Sequence, residues 1–131
     1  MSDAGAATIT GSRIVGNVVA FDDAKRTGGS SNAALQVGDS PLVLRDTVVT
    51  GNTTSEGSSI LEWDGVATVS GLSVVSNRVT LHARHGAAVA LGAVQVRGTE
   101  YNGYAPGPST IVDSLVASNT TTVTSDDGPG S

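Results

Sequence analysis

The chain has 131 residues, a formal net charge of -5, 17 glycines, no cysteine and only 3% aromatic residues. The length suits one domain, and the lack of cysteine excludes disulfides and thiolate chemistry. An acidic chain lacks the basic footprint for nucleic acid or an anionic membrane, and no run approaches the ~20 apolar residues of a spanning helix.

Met1–Gly5 shows no basic segment followed by an apolar one, so no signal peptide is expected in this chain. Ala7-Thr-Ile9 then leads into a nine-residue phrase, Ile9-Thr-Gly-Ser-Arg-Ile-Val-Gly-Asn17. The same phrase returns as Leu44-Arg-Asp-Thr-Val-Val-Thr-Gly-Asn52, Val69-Ser-Gly-Leu-Ser-Val-Val-Ser-Asn77 and Ile111-Val-Asp-Ser-Leu-Val-Ala-Ser-Asn119. The closing asparagines lie 35, 25 and 42 residues apart. A second phrase, Gly/Asn-small-small-aliphatic, lies between them at Asn32–Leu35, Gly57–Ile60 and Gly86–Val89. Aligning both phrases confines the length differences to two joints, as in a stacked coil whose skeleton is constant and whose turns carry the insertions.

Within the phrases the apolar residues alternate at strand period in short runs broken by Gly, Asp or Ser. About three short strands per coil are expected. Ile9, Leu44, Val69 and Ile111 form one inward column, Ile14, Val49, Val74 and Val116 a second, and Leu35, Ile60 and Val89 a third. Gly11, Asp46, Gly71 and Asp113 share one bend, where Gly tolerates positive φ and Asp can bond its own backbone. Asn17, Asn52, Asn77 and Asn119 are expected to stack as an internal ladder. Asn adopts left-handed backbone readily, and at the ~4.8 Å strand spacing each amide can donate to one neighbour and accept from the other. Asn52-Thr-Thr and Asn119-Thr-Thr are formal glycosylation sequons, but an inward ladder position leaves no room for a glycan.

Aliphatic-x-x-Asn combined with Gly-small-small-aliphatic resembles the Phe-x-x-Asn and Gly-Gly-Ala-aliphatic repeats of polymorphic outer-membrane proteins. It also resembles the wider right-handed parallel β-helix, or pectate-lyase-like, proteins. The matching residues are Ile14/Asn17, Val49/Asn52, Val74/Asn77, Val116/Asn119 and the three small-small phrases, covering roughly residues 6 to 131. The chain departs from the pattern with Ile or Val for Phe, and Ala or Ser for the second Gly. The resemblance implies an all-β, right-handed parallel β-helix of about three to four coils, with an extracellular or cell-surface address. Its members include adhesins, polysaccharide lyases, hydrolases and structural spacers, so it leaves activity open.

Residues 1–131 are expected to form a single segment, with 95–108 as an inserted loop. Gly130-Ser131 falls where the next small-small phrase would begin. The expectation is a piece of a longer solenoid, or a coil whose open ends pair with the same or a neighbouring chain.

Function on such a scaffold belongs to loops. Those expected after each ladder Asn, at 18–31, 53–56, 78–85 and 120–129, hold Asp22, Asp23, Lys25, Arg26, Glu56, His82, Arg84, His85, Asp126 and Asp127. Asp22, Asp23, Glu56, Asp126 and Asp127 are oxygen donors of the kind Ca²⁺ takes, and a carboxylate pair near Arg or His could cleave a glycan. A solvated mixed-charge face competes with both readings, and no cofactor is required. His82 and His85 are a metal-ligand pair without a third ligand nearby, and no Gly-x-Ser-x-Gly places a nucleophile. Tyr101 and Tyr104 in the inserted loop, and Trp63 in Leu61-Glu-Trp-Asp-Gly65, are the candidate contacts for a glycan or protein surface; a packed corner suits Trp63 better. The leading expectation is a non-catalytic structural or adhesive segment. A glycan-active enzyme or glycan-binding module, and a self-stacking coil, are its rivals.

Overall fold

A computed structural model describes residues 6–20, 33–38, 40–55, 59–83, 92–97 and 108–125. Every element among them is a strand. The chain runs through β1 (Ala7–Thr10), β2 (Arg13–Val15), β3 (Val18–Val19) and β4 (Leu35–Val37). It continues with β5 (Leu42–Arg45), β6 (Val48–Thr50), β7 (Thr53–Ser55) and β8 (Leu61–Asp64), then β9 (Ala67–Ser70), β10 (Ser73–Val75), β11 (Arg78–Ala83) and β12 (Val94–Arg97). The last are β13 (Thr110–Val112), β14 (Leu115–Ala117) and β15 (Thr120–Ser125). Successive strands enter four different sheets in a fixed order: β1-β5-β9-β13, β2-β6-β10-β14, β3-β7-β11-β15 and β4-β8-β12. All pairings are parallel. This is an all-β parallel stack, compatible with a β-helix or solenoid. No helix among the described residues is long and apolar enough to cross a membrane.

The nine-residue phrase supplies the first two sheets in the register its alignment requires. Leu44 sits between Ile9 and Val69, and Ile111 follows Val69. Val49 sits between Ile14 and Val74, and Val116 follows Val74. Leu44, Val49, Val69 and Val74 are fully buried, because each inward aliphatic has another above and below it. The bends between these sheets turn at Gly11, Asp46, Gly71 and Asp113, all at positive φ. A Cβ on Gly71 would come within 2.6 Å of Asp46 Oδ1, so a side chain there would displace the Asp46 carboxylate as well as strain a backbone at φ 62°. Past the bend, the hydroxyls of Ser12, Thr47 and Ser114 donate back to the carbonyls two residues earlier, a local side-chain bond that braces the turn. A second left-handed column, Gly16, Gly51, Ser76 and Ser118, immediately precedes the ladder asparagines.

The structure differs from the sequence expectation in three places. First, the residues after each ladder Asn begin as a sheet, not as loops: β3, β7, β11 and β15 pair in sequence order through that joint. Their Val and Thr side chains favour a pleated, half-buried surface, and the strand count per coil rises from about three to four. His82 accordingly lies on β11, in register with Thr124. Second, the third aliphatic column is Leu35, Leu61 and Val94, with Leu61 in the place expected for Ile60; Val89 lies outside the described residues. Ile60 occupies the corner before the strand, where its N–H donates to Ala93 O at 3.2 Å and its side chain is fully buried. Gly, Ala and Ser are so frequent in this chain that small-small-aliphatic also arises out of register. Third, β12 runs to Arg97, so the opening residues of the 95–108 stretch pair with β8.

The inward position in the third sheet carries Val19, Thr54, Val79 and Thr121. Thr54 is fully buried, and its Oγ1 has no hydrogen-bond partner among the described residues. An orphaned buried hydroxyl costs more than an apolar group of the same shape. Thr54→Val should therefore raise stability by about 1 kcal/mol in urea unfolding. A loss of stability would show that the hydroxyl is satisfied.

Candidate functional site

The asparagine ladder is continuous through all four phrases. Asn17 donates to Asn52 Oδ1 from both its backbone N–H and Nδ2, each at 2.9 Å. Asn52 does the same to Asn77 Oδ1, and Asn77 to Asn119 Oδ1, again at 2.9 Å. A second Nδ2 bond runs back to the previous layer: Asn52 to Ile14 O at 2.8 Å, Asn77 to Val49 O at 2.9 Å and Asn119 to Val74 O at 2.8 Å. Asn52 and Asn77 are buried and their amides are committed. Their chemistry is spent on holding layers in register, and neither can meet a ligand.

Trp63 is fully buried in the core. Its Nε1–H donates to Ser109 Oγ at 3.3 Å, and Ser109 Oγ donates to Gly65 O at 3.1 Å. The indole face offers nothing for a sugar or partner to stack on. A residue that the sequence does not single out lies beside it. Glu62 is also fully buried, in a column with Gln36 and Gln95 above and below, and Ser59 Oγ donates to its Oε2 at 3.4 Å. In Leu-Glu-Trp a glutamate reads as the outward, solvated member of a strand, so the pattern carries no signal for its burial. Enclosed to this degree, the carboxylate acts on neighbouring side chains and touches no solute.

The loop candidates Asp22, Asp23, Lys25, Arg26, Glu56, Arg84, His85, Tyr101, Tyr104, Asp126 and Asp127 lie outside the described residues. What the structure does place is the rail from which most of them depart. β3, β7, β11 and β15 are adjacent in one sheet, and parallel neighbours sit ~4.8 Å apart. The segments holding Asp22/Asp23, Glu56, Arg84/His85 and Asp126/Asp127 each follow one of these strands. Among the described residues no group of three or more His, Cys, Asp or Glu is positioned to hold a metal ion. Comparison with protein-family models, curated proteins and solved structures finds no match to this chain.

Proposed function

We propose that the chain is a non-catalytic structural or adhesive segment of a right-handed parallel β-helix of about three to four coils. It works outside the cell or at its surface, presenting loops to a protein or glycan surface. The observation carrying this reading is the row of strands β3, β7, β11 and β15, each followed, beginning within three residues, by charged or titratable side chains: Asp22/Asp23, Glu56, Arg84/His85 and Asp126/Asp127. A rigid parallel sheet fixes the spacing of whatever leaves it, and repeated display from a solenoid suits extended contact better than a single enclosed pocket. The Asn ladder and aliphatic columns support it by giving the rail stiffness.

The test is binding to a panel of immobilised glycans and extracellular proteins, alongside incubation with soluble polysaccharides. We expect binding that Tyr101→Ala/Tyr104→Ala weakens at least tenfold with an unchanged melting temperature, and no depolymerisation. Polysaccharide cleavage that disappears in Asp22→Asn or Asp126→Asn would replace this reading with the glycan-active one. Calcium can be scored in the same assay: a chelator should leave both binding and melting unchanged. A chelator-reversible rise in melting temperature would assign the ion to the loop carboxylates.

A further inference from the structure

We propose that copies of this chain associate head to tail, the outer face of β13, β14 and β15 in one copy continuing the parallel stack into β1, β2 and β3 of the next. Association through the two ends of the stack is independent of whether the loops bind a partner.

The last layer is apolar where layers beneath it are dry. Ile111 is 47% exposed and Val116 57%, while Val69 and Val74 directly below them are 0% exposed. Val123 is exposed above Leu81 in the same way. At the opposite end, Ile9 and Ile14 are partly buried members of the same columns. The columns thus end in incompletely buried aliphatics at both faces, more open at the last layer than at the first, and the side chains that complete them inside would complete them there.

The ladder adds direction. Every rung sends its N–H and Nδ2–H to the Oδ1 of the following layer and a second Nδ2–H to the carbonyl of the preceding one. Among the described residues Asn119 therefore ends with donors lacking an acceptor, while Asn17 Oδ1 lacks a donor. Asn17 Nδ2 bonds only Asn52 Oδ1, leaving the proton that in later rungs reaches back to the carbonyl three residues before the previous Asn. In a neighbouring copy that carbonyl is Val116 O. The backbone repeats the complementarity. Val48, Ser73 and Leu115 donate N–H to Ser12 O, Thr47 O and Leu72 O of the layer before; Arg13 is the same position in the first layer, and Ser114 O is the matching acceptor in the last. Thr53, Arg78 and Thr120 likewise donate to Asn17 O, Asn52 O and Asn77 O, which pairs Val18 N–H with Asn119 O. Joining two like faces would invert one copy, so the apposed strands would run antiparallel and lose the parallel register that every internal pairing keeps. Only the head-to-tail contact matches, and such a heterologous contact repeats without closing.

Sedimentation equilibrium on the intact chain tests this with two one-sided blocks. Val116→Glu charges the last face. Arg13→Pro removes an outward N–H from the first face without breaking a bond inside the chain; Val18→Pro does the same at the other outward donor if Arg13→Pro loses its far-UV strand signal. Wild-type mass should rise with concentration past the dimer. Each variant alone should remain monomeric, and an equimolar mixture of the two should stop at twice the monomer mass, because only one good face remains on each. A monomeric wild type, a blocked variant that still dimerises alone, or a mixture that stays monomeric would overturn the proposal.

Discussion

Asn77→Ala is expected to cost about 3 kcal/mol or more, while Asn17→Ala costs less than about 1. The two residues have the same side chain in the same column, so the difference isolates position. Asn77 Oδ1 accepts from Asn52 N–H and Asn52 Nδ2, and its own Nδ2 donates to Val49 O, Val75 O and Asn119 Oδ1. Removing it orphans a buried backbone donor and several acceptors where water does not reach. Asn17 is exposed and among the described residues its Oδ1 accepts nothing, so its loss leaves only Asn52 Oδ1 short of one donor, with Asn17 N–H still in place. Urea unfolding of the two variants measures the contrast, and the larger loss corresponds to a melting temperature lowered by about 10 °C. Equal losses would mean that the ladder bonds contribute little and that the aliphatic columns alone hold the layers.

Trp63→Ala should be the most damaging single truncation, at about 3–5 kcal/mol. The indole is the largest fully buried side chain, in a column whose neighbours Val37 and Val96 are too small to fill the space it leaves. The change also strips Ser109 Oγ of the Nε1–H donor that ties β8 to the segment entering β13. Trp63→Phe keeps most of the packed surface and loses the hydrogen bond, so it should fall well under half as far. The readout is far-UV circular dichroism against denaturant, since the chain's only tryptophan is the one removed. A Trp63→Ala loss below about 1 kcal/mol would place the indole in a site that relaxes freely.

What the sequence made legible follows from how narrow each chemical demand is. A ladder position needs a side chain that both donates and accepts, so Asn17, Asn52, Asn77 and Asn119 stand out. A left-handed bend favours Gly or Asp, so Gly11, Asp46, Gly71 and Asp113 stand out too. The sheet after the ladder was hidden because a packed strand there accepts Val or Thr at almost any position, and Thr-Thr or Val-Val beside a polar stretch resembles a loop margin. Ile60 and Leu61 are adjacent aliphatics, and periodicity alone does not decide which faces the column. Glu62 was illegible for a different reason: burial on the outer side of β8 depends on what covers it, which local pattern does not encode. The loop carboxylates and tyrosines were legible only as chemistry, since nothing in a stack of strands dictates how its insertions are arranged.

The two sequons acquire a meaning from the buried ladder that has to do with time. Asn52 Nδ2, the atom a glycosylating enzyme would modify, is bound to Ile14 O, Thr50 O and Asn77 Oδ1 inside the folded chain. It is open to that enzyme only until Asn77, 25 residues later, has been made and has docked. In a glycosylating compartment, attachment and layer closure would compete for one nitrogen, and a sugar there would prevent the rung from ever closing. Glycan occupancy at Asn52 would thus serve as a clock, recording how long each molecule waited for its next layer.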